Sequence, residues 1–215
     1  MHRNKCKYWG FMAFRVWGYE SAAGQARSRE FCQRVGDMLN DRFSTLAVQG
    51  VKNTGLQDED EGFGARFKEM YDAAMTGGVL PLWQLIIKEH EALNGHGPQE
   101  VREDFRMMLK LDEEGDDSMP YRVPRGIDAE LCLMIDEGVV SSLLDEREGR
   151  TPYIIGVLSD IDDEGVPEDA EALYFKIALE SVVDLWRQIQ VQAVNVLVPP
   201  EGKIYISPGV FVDDK

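Results

Sequence analysis

Tyr8-Trp9-Gly10-Phe11-Met12-Ala13-Phe14-Arg15-Val16-Trp17-Gly18-Tyr19 is the stretch on which the fold turns. It is aromatic-rich and densely apolar, with glycines near both ends, and it predicts a central β-strand. The basic start Met1-His2-Arg3-Asn4-Lys5-Cys6-Lys7 followed by an apolar run faintly imitates a secretory leader. That run lasts only about seven residues, and no small-residue cleavage site follows closely, so a buried strand is the better reading. Arg15 is the exception within it. A guanidinium in such a run has to reach a carboxylate or water, because an unpaired buried charge is very costly. An ion pair with Asp136 or Asp160 is the economical expectation, and an anion-binding role the sharper one.

Downstream, Phe31, Val35, Met38, Leu39 and Phe43 recur on one face of a helix that ends near Phe43. A polar, acidic loop is expected to follow as far as Gly62. Phe63, Phe67, Met70, Tyr71 and Ala74 suggest a second helix, stopped by Gly77-Gly78. Val79 to His90 carries both periods: Trp83, Leu85 and Ile87 alternate as on a strand, whereas Leu82, Leu85, Ile86 and Leu93 suit a helix. Val101, Phe105, Met108 and Leu109 mark a helix opened by Pro98 or Gln99.

Leu131-Cys132-Leu133-Met134-Ile135 reads as a strand buried on both faces, with Asp136 as N-cap of a helix carrying Val139, Val140, Leu143 and Leu144. Tyr153–Leu158 and a short run around Phe175 and Ile177 are further strands. Ser181 with Asp184 resembles a capping box. Val194, Val196 and Val198 face Ile204 and Ile206 across Pro199-Pro200-Glu201-Gly202, the pattern of a hairpin. The expected architecture is α+β: a mixed β-sheet with helices packed on it and a C-terminal β-hairpin, one domain over residues 1–215.

Twenty-three basic residues against 39 acidic ones give a net charge of −16. Binding a phosphate backbone needs clustered cations, so nucleic acid is not expected as a partner. An anionic membrane surface is disfavoured by the same field, and no run reaches the ~20 apolar residues of a membrane span. The acidic runs Asp58–Glu61, Asp112–Asp117 and Asp160–Glu171 read as solvated loops. Cys6, Cys32 and Cys132 are scattered and odd in number, which argues for a reducing, cytoplasmic setting and against a disulfide framework.

No nucleophile elbow, phosphate loop or dinucleotide glycine pattern is present, so no cofactor is expected. Asp160-Ile161-Asp162-Asp163-Glu164-Gly165, with Glu171 twelfth, approaches a calcium loop, but Glu164 and Pro167 depart from the pattern. His90-Glu91-Ala92-Leu93-Asn94 is one residue from a zinc-protease motif, with Asn94 where the second histidine belongs. No metal site is expected. The more general signal is placement. Tyr19, Glu20, Glu89, His90, Asp136, Glu137 and Asp160 all follow buried strands, and in parallel sheets ligands bind outside the carboxyl ends of strands. Asp136, Asp160 and His90 are therefore the candidates for acid–base work, and Arg15, Tyr19 and Glu137 for ligand binding.

The string Trp9-Gly10-Phe11-x-x-Phe14-Arg15, continued by Trp83-x-Leu85-x-Ile87-x-Glu89, Leu93-x-Gly95, Glu100-Val101-Arg102-x-x-Phe105, Leu131 to Glu137, Tyr174-Phe175 and Pro199-Pro200, resembles a large family of functionally uncharacterised intracellular proteins of filamentous fungi. The resemblance covers most of the chain. It favours the strand reading of Leu82–Lys88, implies a small intracellular α+β protein, and marks about 50–78 as a helical insertion. It supplies no catalytic residues. Two functions fit the sequence: a non-catalytic module that binds a basic protein partner or forms a homodimer, and a small-molecule enzyme (isomerase, cyclase or hydrolase) working through carboxylates at strand ends. The first is the expected one, and a small-molecule ligand stays open.

Overall fold

The computed structural model describes residues 9–53, 83–113, 123, 127–145, 150–159, 174–189, 194–207 and 210–213. In them a mixed seven-stranded sheet forms with the order β2-β1-β3-β4-β5-β6-β7. The strands are β1 (Trp9–Arg15), β2 (Trp83–Glu89), β3 (Leu131–Ile135), β4 (Tyr153–Leu158), β5 (Tyr174–Ala178), β6 (Lys203–Ile206) and β7 (Val210–Asp213). The helices are α1 (Ala22–Asn53), α2 (Pro98–Glu113), α3 (Glu137–Leu144) and α4 (Val182–Ile189). This is the α+β architecture that the alternation of apolar runs and amphipathic stripes calls for.

β1 is central because it is apolar on both faces. It runs parallel to β2 on one side and to β3 on the other. Phe11, Met12, Ala13 and Phe14 are fully or almost fully buried. Side chains alternate across a strand. Phe14 meets Phe105 of α2 edge to face, with 6.1 Å between ring centroids, so α2 covers one face. The neighbouring Arg15 points to the other, where its charge reaches Cys32 of α1. On that second face α1 also packs against α3, α4 and the 3-10 turn Leu179–Ser181. The two helices that follow β1 and β2 thus lie on opposite faces, and the strand order reverses at β1.

β4 is antiparallel to both β3 and β5, β6 is parallel to β5, and β7 turns back antiparallel on β6. The C-terminal hairpin is therefore present with different members from those expected. Val194–Leu197 winds into a 3-10 turn and the hairpin is β6–β7. Val196 is 68% exposed, so the alternation of valines there does not describe a sheet face. Pro199 to Gly202 forms the turn that leads into β6, with Lys203 N–H donating to the Pro200 carbonyl at 3.1 Å.

α1 also departs from expectation. It begins at Ala22 and continues through Gly50 to Asn53, where a loop was expected from Phe43 onward. The Ser181–Asp184 capping box does not form. Ser181 Oγ accepts from Ser207 N–H at 3.0 Å, and Asp184 Oδ2 accepts from Arg42 Nε and Nη2 at 3.1 and 2.7 Å. Both side chains tie elements together instead of closing a helix end. The expected helix over 63–74, most of the insertion at about 50–78, the acidic run 58–61 and the acidic loop 160–171 lie outside the described residues.

Candidate functional site at the strand ends

Because β1, β2 and β3 are parallel, their carboxyl ends at Arg15, Glu89 and Ile135 share one rim of the sheet. Tyr19, Glu20, Glu89, His90, Asp136 and Glu137 therefore lie along that rim. β4 runs the opposite way and delivers the chain to the other rim, where Ser159 N–H donates to the Glu130 carbonyl at 2.8 Å. Asp160, next in sequence, lies outside the described residues.

Arg15 is buried, and among the described residues its ion-pair partner is Glu89, the residue beside it in the β1–β2 register, rather than Asp136. Nε lies 3.2 Å from Glu89 Oε1, close enough for an ion pair but without the alignment of a hydrogen bond. The guanidinium also stacks on Tyr19, 4.0 Å from the ring centroid. Tyr19 is the keystone of the rim. Its hydroxyl donates to the Arg15 carbonyl at 2.8 Å and accepts from His90 N–H at 3.0 Å, and its own carbonyl accepts from Gln25 Nε2 at 3.1 Å. Burial raises the phenol above its ordinary pKa, against the hydrogen bond from His90 and the nearby Arg15 charge. Tyr19 is thus a neutral ring and a hydrogen-bonding strut at neutral pH.

His90 and Asp136 are both caps. His90 precedes the 3-10 turn Glu91–Leu93, and its Nδ1 accepts from Ala92 N–H at 3.2 Å. Asp136 precedes α3, and its Oδ1 accepts from Val139 N–H at 2.7 Å. Glu137 is exposed in the first turn of α3, where a negative side chain complements the helix dipole. His96 lies 3.5 Å from Asp104, so the two histidines serve different neighbours. Among the described residues no group of three His, Cys, Asp or Glu side chains comes together, and no helix is long and apolar enough to cross a membrane. Cys132 is fully buried and its thiol is pushed far above the ordinary range, so it is a packing residue.

The concavity at this rim is one that strand-end carboxylates do not reveal. A cleft of about 200 Å³ is lined by Val16, Trp17, Gly18, Glu20, Ser21, Gly24, Asn94 and Gly95. Two loops frame it, the one between β1 and α1 and the one between β2 and α2. Gly95 N–H donates to the Val16 carbonyl at 2.9 Å, and Asn94 Nδ2 donates to Glu20 Oε1 at 2.8 Å. Ser21 Oγ accepts from Gly24 N–H at 3.0 Å and starts α1. Gly18 adopts a φ of +88°, and a Cβ on Gly24 would stand 2.9 Å from Gly18 Cα, so loop and helix touch backbone to backbone. The signal in the sequence was the pair Gly18 and Gly24, one after a strand and the other opening a helix, but spacing alone did not tie them together.

Neither Asp136 nor His90 lines this cleft. Of the residues singled out in the sequence, the rim brings Arg15, Tyr19, Glu89 and His90 into one connected cluster, and leaves Asp136 and Glu137 at the head of α3. No family model, curated protein or solved structure matches this chain.

Proposed function

We propose that this chain is a non-catalytic interaction module, whose acidic surface meets a basic protein partner or which associates with a second copy of itself. The observation that carries the reading is that the polar groups of the rim are already engaged within the fold. Asp136 and His90 cap helical turns, Arg15 is spanned by Glu89 and the Tyr19 ring, and Glu20 accepts from Asn94. General acid–base chemistry asks for a carboxylate or imidazole facing a cavity that holds a substrate, on the order of 300 Å³ or more. The cleft beside these groups is about 200 Å³ and is lined by neither Asp136 nor His90, the two acid–base candidates among the described residues. What the chain offers a partner is a field from 16 excess negative charges.

Such a field speeds encounter with basic surfaces and is screened by salt. Immobilised protein is expected to retain identified basic proteins at about 0.05 M salt and to release them at about 0.5 M, where the Debye length falls to a few ångströms. Light scattering of the free chain reports self-association in the same buffers. If neither a partner nor self-association is found, or if retained partners are indifferent to salt, the reading fails.

A further inference from the structure

The cleft between the two rim loops lies outside the carboxyl end of β1, where the strand order reverses and the helices that follow β1 and β2 go to opposite faces of the sheet. Such a reversal parts two neighbouring loops, and open sheets receive ligands in the crevice between them. Backbone sets its walls. Gly18, Gly24 and Gly95 all line it, the Gly18–Gly24 contact leaves no room for a side chain between loop and helix, and the bond from Gly95 N–H to the Val16 carbonyl holds the second loop against the end of β1.

The side chains of the lining select the charge of a ligand. Among the described residues that form it, Glu20 is the charged one, and no lysine, arginine or histidine joins it. Asn94 Nδ2 donates to Glu20 Oε1, so the amide turns a donor to the carboxylate and keeps Oδ1 as an acceptor, while the carboxylate keeps Oε2. Ser21 Oγ accepts from Gly24 N–H and so occupies a helix-start donor that a bound anion would use. Trp17, half-buried, belongs to the same lining. An aromatic ring beside a carboxylate suits an alkylammonium or guanidinium group, which gains from both. An anion would face Glu20 at close range in a chain that already carries −16.

We infer that this cleft receives a lysine or arginine side chain of a basic protein partner, with the charged group against Glu20 and Asn94 and the methylene stem along Trp17 and Val16. The inference rests on the interaction-module reading and names the point of contact. At about 200 Å³ the cleft is smaller than the ~300 Å³ at which sites for drug-sized ligands begin, and it suits one extended side chain. Lysine and arginine carry their charge on an apolar stem, which matches a lining that is part indole and valine, part carboxylate and amide.

The probe is lysine capped at both ends, N-acetyl-lysine methylamide, with the norleucine compound as its uncharged counterpart. At millimolar concentration in about 0.05 M salt, the capped lysine is expected to shift the amide resonances of Gly18, Gly24 and Gly95 and the indole N–H of Trp17. The norleucine compound is expected to leave them in place. Glu20→Gln keeps the shape of the side chain and an acceptor for Asn94, and is expected to weaken capped-lysine binding about tenfold, its fold being checked by circular dichroism. Glu130→Gln makes the same change in net charge at the opposite rim, where Glu130 is exposed, and is expected to leave binding within about twofold. Immobilised Glu20→Gln is also expected to release identified basic proteins at lower salt than immobilised Glu130→Gln.

Shifts spread evenly over the acidic surface, or equal weakening by the two glutamine variants, overturn the inference. Inorganic phosphate moving the cleft resonances where capped lysine does not overturns it as well. Basic proteins retained equally by Glu20→Gln and the unmodified chain overturn it while the interaction-module reading stands. Capped lysine held in the cleft of a chain that retains no basic protein overturns the partner as its source, because the cation is then a free amine, and leaves self-association alone to carry the module reading.

Discussion

Two arginine–carboxylate pairs hold different parts of this molecule, and they are built in opposite senses. At the rim the arginine is the buried member: Arg15 side-chain exposure is 8% against 52% for Glu89. In the helix layer the carboxylate is buried: Asp184 is at 11% and Arg42 at 37%. The helix pair is a clamp between α1 and α4, two guanidinium nitrogens converging on one carboxylate oxygen. The rim pair is a looser contact supplemented by an aromatic ring. The difference teaches what each region is for. The helix pair fastens two elements that are far apart in sequence. The rim arrangement keeps a cation in an apolar strand end with the backbone ties of Tyr19 closing over it.

The largest expected effect comes from the loop that carries Tyr19. At Gly18 an added Cβ would stand 2.7 Å from Ser28 Oγ and 2.9 Å from the Gly24 carbonyl oxygen, on a backbone with φ of +88°. Backbone has to move, and a left-handed conformation for an L-residue costs a further 1–2 kcal/mol or so. Gly18→Ala is expected to lower unfolding free energy by about 3 kcal/mol in denaturant titrations. Gly36 in α1 is the control, since nothing lies within 4 Å of a Cβ there. Gly36→Ala is expected to stabilise by up to about 1 kcal/mol. Equal effects at the two positions would mean that the Gly18–Gly24 contact is not what holds the rim loop.

Next are the pairs themselves. Arg42→Ala leaves the buried carboxylate of Asp184 without its two hydrogen bonds and is expected to cost about 2–3 kcal/mol. Glu89→Ala removes one unaligned contact while the Tyr19 ring still faces Arg15, and is expected to cost about 1 kcal/mol. A double-mutant cycle sharpens the contrast, because coupling between Arg42 and Asp184 should exceed that between Arg15 and Glu89. The reverse order would show that the ring contributes little and that the single carboxylate contact carries Arg15. Asp136→Ala, which removes only the cap of α3, is expected to cost about 1 kcal/mol, with Asp136→Asn close to neutral.

Much of this arrangement was legible from residues whose role is local. The runs at Phe11–Phe14 and Leu131–Ile135 are buried throughout, and Asp136 caps α3 as its position before a helical stripe implied. The unread parts depend on partners distant in sequence. Glu89 becomes the counter-ion of Arg15 only through the parallel β1–β2 register, which periodicity does not reveal. The first turns of α1, Ala22 to Ala26, lack an apolar stripe because they are fixed by the Ser21 cap and the Gly18–Gly24 contact. Val194, Val196 and Val198 alternate like a strand, yet Val196 is largely in solvent and the segment Val194–Leu197 closes as a 3-10 turn instead. Ser181 and Asp184 had capping-box spacing, but tertiary donors, Ser207 N–H and Arg42, claimed both side chains.

The smallest effect is confined to alkaline pH and bears on the buried end of the helix pair. Tyr205 of β6 is fully buried, and its phenol is pushed up to about 12, first by burial and then by the charge of Asp184, with the side chain of Ser207 opposing the shift. In the unfolded chain the same phenol titrates near 10. Below pH 10 it is protonated in both states and adds no pH dependence. From pH 10 upward the unfolded state releases a proton that the folded state keeps, so unfolding becomes easier until about pH 12, where both have ionised. Tyr205→Phe removes this component. Its stability relative to the unmodified protein is expected to be constant up to pH 10 and to improve between 10 and 12. Asp184→Asn removes the second cause of the shift and should bring the phenol's titration, followed by ultraviolet absorbance, back toward 10. A Tyr205→Phe difference that stays flat through pH 12 would mean that the phenol is not the group that yields.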